Sequence, residues 1–361
     1  MDLFKRIVNA LSNPTVYFIL TIVLLAAYLR FRNLLTRPAV ATGFLIASIA
    51  FFCVSMTDPN FRLIVTKPDN VPIVMMLGLV LFLTWLALRR AVVNDDLMKR
   101  GEPNLEARES KDRVFTWPDL VYTELISMVL CTVALTVWSI ELQAPLEEPA
   151  AAARTPNPSK APWYFLGLQE MLVYYDPWIA GVLLPGLIIV GLMAVPYLDR
   201  NPKGNGYYTF AERPFAISFY LFGFLILWVS LVVLGTFLRG PNWSFFGPFE
   251  RWDIHALEPL VNVNVSEYFW VRALHEPLPA NPLVRELPGL LIILGYFALV
   301  PPLLLSLSRM FRGFFLEMGF ARYSTFVLLL LVEFSLPIKM VLRWTLNLKY
   351  VVSFPEFFFN I

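Results

Sequence analysis

Charged side chains are scarce. Asp, Glu, Lys and Arg make up 16% of the 361 residues, against about 25% in ordinary soluble domains, which excludes a soluble globular fold. Neither sign dominates, with 29 Lys+Arg facing 27 Asp+Glu and no basic block, so nothing invites nucleic acid. Cysteine is nearly absent: Cys53 and Cys131 both sit in apolar runs, which rules out a disulfide framework and leaves no CxxC or CxxCH pattern for zinc or covalently attached haem. Histidine is as rare. His255 and His275 cannot supply the four axial imidazoles of a two-haem transmembrane cytochrome, and no cysteine or close carboxylate set joins them to make a metal site. Internal repeats are missing as well.

What is present is apolar length. Hydrophobic residues form 58% of the chain, in runs at about 15–33, 38–56, 71–91, 119–141, 178–198, 214–238, 287–308 and 324–346. Runs of about 20 apolar residues are membrane spans, so the expected fold is all-α and polytopic, with eight transmembrane helices in the lipid bilayer. The first run leads into Arg30, Arg32 and Arg37 instead of a small-residue cleavage site, and reads as a span of a chain that begins at or near Met1. More than half of the Lys and Arg fall in the connections 1–2, 3–4, 5–6 and 7–8 and the helix ends beside them. Positive residues stay on the cytoplasmic side, which puts both termini outside.

Five parts follow along the chain: a three-helix extension at 1–92, a charged cytoplasmic linker at 93–117, a central region at 118–238, an outer loop at 239–286, and two helices with a tail at 287–361. The segment 144–162 (APLEEPAAAARTPNPSKAP) is rich in Pro and Ala and is expected to run extended, either as a cap over a site or as a plain connector.

That segment leads into Ala161-Pro162-Trp163-Tyr164-Phe165, which resembles the PEWY loop of the cytochrome b family. Trp117-Pro118-Asp119-Leu120, Ala144-Pro145-Leu146-Glu147-Glu148-Pro149-Ala150, Gly181-Val182, and Val195-Pro196-Tyr197-Leu198 followed by Arg213-Pro214-Phe215-Ala216 resemble, in the same order, further parts of the cytochrome b C-terminal half, known as subunit IV in the photosynthetic bf complex. The likeness covers about 112–238, with 287–308 in the position of the last helix of longer cytochromes b. The first three helices and the loop at 239–286 have no counterpart. The resemblance implies a split cytochrome b whose b-haems lie on a partner subunit, with a Pro-rich outer loop capping a quinol-oxidation site.

The family's PEWY glutamate accepts a proton from quinol, whether menaquinol or ubiquinol, but Pro162 stands in its place and can neither accept nor relay one. Glu170 is the expected replacement: it lies seven residues after Trp163, nearly two helical turns on and so on the same face, among Leu168, Met171 and Leu172. The alternative is a carboxylate at the water boundary that pairs with a neighbouring subunit. Gln169 is a further quinone-binding candidate, Tyr174, Tyr175 and Asp176 are weaker ones, and Glu147 and Glu148 read as a solvated loop. Trp163, Tyr164 and Phe165 suit a flat quinone ring, although aromatics gather at any membrane interface. Asp119 resembles in position the carboxylate near the family's inner quinone-reduction site, where it would help proton uptake, and Glu124 is a second candidate for that role; the alternative is an acidic helix start favoured by the dipole. Glu333 is the one carboxylate deep in a predicted span, six residues before Lys339. That spacing misaligns the two on a straight helix, so the expected intramembrane contact needs a bend at Pro337 or another subunit. The outer loop, dense in Trp, Phe, Gly and Pro, reads as a docking platform.

The expected function is a haem-free, quinone-binding subunit of a quinol:cytochrome c oxidoreductase. Its expected partners are a haem-bearing cytochrome b N-terminal half and an iron-sulfur (Rieske-type) or cytochrome c subunit, in a dimeric complex of a bacterial inner membrane. A scaffold subunit with a disabled pocket and a secondary transporter are the competing readings. Against the transporter stands the lack of matching halves.

Overall fold

Inside lipid the backbone must satisfy its polar groups internally, as helices do, and the described residues are mostly helical. The computed structural model describes residues 2–110, 113–144, 146, 149–201 and 206–361; Met1, Pro145, Glu147 and Glu148, named in the expectations above, lie outside the described residues. The principal helices are α1 (Asp2–Leu11), α2 (Pro14–Arg30), α3 (Pro38–Ser55), α4 (Val71–Lys99), α5 (Thr116–Glu141), α6 (Trp163–Met171), α7 (Ile179–Leu198), α8 (Pro214–Leu238), α9 (Leu287–Leu307) and α10 (Arg309–Leu346). Among the described residues, seven of these are long and apolar enough to cross a membrane, and α2 becomes an eighth when it is taken with α1, from which it departs at an 80° bend. Asn13 caps α2 by accepting from the Thr15 amide at 3.2 Å, with Pro14 at the first helical position.

Two compact units divide the chain, one of 1–163, 203–222 and 236–254, the other of 164–202, 223–235 and 255–361. In the first, three segments that alternate crossing puts on one side meet at the same end. Lys5 of α1 bonds Asp58, which caps the short helix Pro59–Val65 through the amides of Asn60 and Phe61. Phe249 stacks on Phe61 at 5.4 Å and lies 5.8 Å from Phe4. Burial opposes the Asp58 charge, but Lys5 and the two amides outweigh it and hold the carboxyl below its ordinary range.

At the far end of the same unit, α4 continues to Lys99, well into the charged stretch expected to be a linker. The reason is a clamp built from Asn94 and Asp95. Asn94, fully buried, donates to Glu106 Oε2 at 2.7 Å and to Tyr208 O at 2.8 Å and accepts from the Leu105 amide at 2.9 Å. Asp95 accepts from Thr209 Oγ1 at 2.6 Å and from the amides of Phe210 and Ala211. Arg32 lies 3.9 Å over the Phe210 ring. Replacing Asn94 with Ala is expected to cost about 3 kcal/mol or more, since each buried polar group left unmatched costs about 1–3 kcal/mol; the check is the thermal unfolding midpoint of the purified protein. In contrast to this clamped end, α5 has no buried residue along its membrane window.

The second unit is built on α9 and α10, joined by Tyr296 Oη donating to Leu331 O at 2.7 Å and by Tyr323 Oη donating to Pro301 O at 3.1 Å. The span expected at 324–346 is the latter part of a longer helix that begins at Arg309 and breaks at Gly319, where φ is +74°. The tail after Asn347 folds back: Lys349 N donates to Val263 O at 2.8 Å, and Ser353 N donates to the buried Glu286 at 3.0 Å. A two-residue hairpin pairs Ser353–Phe354 with Phe359–Asn360.

Candidate functional site

The described residues of 144–162 form no helix, as the Pro-rich composition leads one to expect. Two side chains fix the loop. Asn157 donates to Asn242 Oδ1 at 2.9 Å and accepts from the Asn242 amide at 2.6 Å. Lys160 donates to Thr236 O at 2.8 Å and sits 4.8 Å over the Trp252 ring.

The chain then enters α6, whose two ends differ. Pro162, Trp163, Tyr164 and Phe165 are exposed, with the Tyr164 and Phe165 rings 4.8 Å apart. Leu166, Gly167, Glu170 and Met171 are buried, Glu170 completely. Small residues allow this burial: a side chain added at Gly167 would touch Trp228 and Val232 of α8 at 3.4 Å, and one added at Gly235 would meet Leu166 at 3.1 Å. Glu170 thus falls in the same helix as Trp163, as the spacing requires, with the aromatic turn exposed and the carboxylate buried. Gln169 is half-buried between the two ends.

Beyond α6 lies a polar cluster that sequence reasoning only grazed. Tyr175 is buried and exchanges a 2.8 Å hydrogen bond with Ser335; burial pushes its hydroxyl above the ordinary range, and the Ser335 contact partly offsets this. Asp176 accepts from Asn360 at 3.0 Å. Lys339 sits 5.6 Å over the Tyr175 ring and donates to Lys349 O at 2.8 Å. Lys349 reaches Leu172 O at 3.5 Å, and burial together with the nearby Arg343 lowers its affinity for a proton. Ser335, Lys349 and Asn360 were missed because they are 160, 177 and 184 residues from their partners. The only local hint was that Lys339 is an ammonium inside a predicted span.

The other expected site residues stand apart. Glu333 and Lys339 make no ion pair: α10 runs helically through Pro337, and six positions at 3.6 per turn turn them to different faces. The Glu333 carboxylate lies instead against Gly223, where an added side chain would come within 2.6 Å of Oε1. Asp119 and Glu124 are exposed on α5. His255 and His275 are exposed in the loop between α8 and α9, outside every span, so the residues present do not fit a haem held between helices. No group of metal-binding side chains occurs among the described residues.

Residues 149–249 match the family described as Cytochrome b(C-terminal)/b6/petD. This segment is similar to the cytochrome b C-terminal family. The segment holds the 149–162 loop, α6, α7 and α8, and runs past α8 into the outer loop; its match begins later and ends later than the 112–238 expected from motifs. Proteins of this family are subunits of cytochrome bc- and b6f-type redox complexes, and seven apolar helices among the described residues support a multi-pass membrane protein. The α1–α5 and α9–α10 regions lie outside the matched segment. No solved structure matches the chain.

Proposed function

We propose that this chain is the haem-free, quinone-binding subunit of a quinol:cytochrome c oxidoreductase and forms part of the outer quinol-oxidation site. Quinol oxidation yields quinone, two protons and two electrons. The electrons pass to an iron-sulfur (Rieske-type) or cytochrome c subunit and to b-haems on a partner that carries the cytochrome b N-terminal half. The protons leave through residues of this chain. The observation that carries the reading is α6 within the matched segment: Trp163, Tyr164 and Phe165 offer exposed aromatic faces, and Glu170 is an acid buried one helix face further in.

In this assignment the flat rings seat the quinol head, because aromatic faces favour stacked, apolar partners. Glu170 receives one proton as a general base, and Gln169 helps to orient the head. The five-part division of the chain follows the same logic, with 118–238 as the quinone-binding region and 239–286 as the docking loop for the extrinsic redox subunit. Asp119 and Glu124 are assigned to proton uptake at an inner site completed by the partner, and both termini to the outer face of a bacterial inner membrane, in a dimeric complex. A second reading, a scaffold with a disabled pocket, is favoured by Pro162, which removes the family's acid.

The decisive experiment is mild-detergent purification through a tag on this chain, with a dithionite-minus-oxidised spectrum and mass spectrometry of what co-purifies. The expected result is b-type haem together with a four-histidine membrane subunit and an extrinsic redox protein. A chain that emerges intact, alone and colourless, where other respiratory complexes survive, overturns the proposal.

A further inference from the structure

The first ten described residues are too few to span a bilayer, yet they are ordered and amphipathic. Helical spacing sorts α1 into three faces. Leu3, Ile7 and Leu11 recur at every fourth position and are 72%, 49% and 44% exposed, forming one apolar stripe. Phe4, Lys5, Val8 and Asn9 form a second face, half-buried against the rest of the same unit: Phe4 packs 5.7 Å from Phe51 and 5.8 Å from Phe249, Lys5 bonds Asp58, and Asn9 accepts from the Phe249 amide at 3.1 Å. Asp2 and Arg6 occupy the third, exposed and polar. That polar side borders an open cleft shared by Arg6, Asn9, Phe245, Gly247 and Glu250.

A helix surrounded by water has no use for the leucine stripe, and a helix surrounded by lipid has no use for Asp2 and Arg6. Only the boundary between the two satisfies both faces. The connection to α2 fixes the depth: a two-residue link and an 80° bend join α1 to α2, whose 17 residues reach the lower end of a bilayer-spanning length; with α2 alone as the span, α1 stays at the membrane surface. Low overall hydrophobicity with a strong apolar side is the composition of helices that lie in the interface plane, their apolar face sunk about 5–10 Å.

We propose that α1 lies in the membrane–water interface with Leu3, Ile7 and Leu11 in lipid, and that through Phe4, Lys5 and Asn9 it holds the aromatic loop 239–254 at that surface. The side of the membrane is the one that carries this loop, whichever way the chain is oriented. The Gly247–Asn9 approach supports the second clause: a side chain added at Gly247 would fall 2.6 Å from Asn9, so loop and helix are fitted closely.

The test is nitroxide accessibility on the full chain in its native complex, reconstituted into vesicles of phosphatidylcholine and phosphatidylglycerol. Cys53 and Cys131 are replaced by Ala, and Leu3→Cys, Ile7→Cys and Arg6→Cys are labelled one at a time. Labels at positions 3 and 7 are expected to collide several-fold more with oxygen than with a water-soluble nickel chelate, and the label at 6 to show the reverse. Nickel-dominated collisions at all three place the helix in water. Closure of 3 and 7 to both reagents means that protein covers the stripe. Oxygen-dominated collisions at 6 as well mean that α1 enters the core as part of a broken span. Each of these overturns the lipid contact. For the second clause, a label at Arg251→Cys is expected to change from an immobile to a mobile spectrum when Lys5→Ala and Asn9→Ala are combined; an unchanged spectrum overturns it.

Discussion

Replacing Glu170 with Gln is expected to lower quinol oxidation by the intact complex about a hundredfold or more while leaving the complex assembled. Gln matches the shape of Glu and keeps a hydrogen-bonding oxygen, so a fully buried position loses little packing; what it loses is the capacity to take up a proton. General-base groups contribute about 10²–10⁴-fold to rate, and the loss belongs in kcat under the proposed assignment, which seats the quinol head on Trp163, Tyr164 and Phe165 and not on the acid. The measurement is steady-state turnover with a soluble quinol analogue, alongside the reduced-minus-oxidised haem spectrum and the subunit ratio. Normal turnover with a normal spectrum removes Glu170 from the proton route and moves the scaffold reading forward. Loss of subunits together with turnover identifies a structural acid instead.

The largest effect on stability is expected at Gly289, in the first turn of α9. A side chain added there would collide with Val351 O and stand 2.9 Å from Val352, a clash with backbone that no rotamer change relieves. Overpacking a core costs about 1–3 kcal/mol and sometimes more, and here the tail must lift or the helix must shift. Lifting the tail breaks the Ser353–Glu286 and Lys349–Val263 hydrogen bonds and separates Arg285 from Glu356. It also withdraws Lys349 and Asn360 from Leu172 and Asp176, just beyond Glu170. Gly289→Ala is therefore expected to lower the thermal midpoint, open the C terminus to carboxypeptidase and reduce turnover together. Gly295→Ala, in the same helix, meets only Leu299 at 3.8 Å and serves as the control with no change expected.

The spans were legible because the membrane demands a local, additive signal: about 20 apolar residues in a row, whatever they touch. Pro214–Leu238 and Ile179–Leu198 accordingly begin and end within a residue of where the apolar runs do. α1 escaped the same reading because its stripe is periodic instead of continuous and covers only ten residues. Gly319 went unmarked because a glycine inside a helical pattern is silent until its φ turns positive. The clamp at Asn94 and Asp95 was hidden for a different reason: its partners at 208–211 are more than a hundred residues away, and a hydrogen bond across that distance leaves no pattern beside either end. At the candidate site, the aromatic turn at 163–165 was readable from its motif. Nothing in the neighbouring letters distinguished a buried Glu170 from an acid at the water boundary; the glycines that let α6 approach α8 decided it.

The bare helix Thr116–Glu141 also bears on how the complex is made. Among the described residues, α5 has no buried position along its membrane window. In the proposed complex that open face is covered by partners, and a segment held only by assembly is where local unfolding and degradation begin. Under that proposal the abundance of this subunit follows that of its partners as much as its own synthesis.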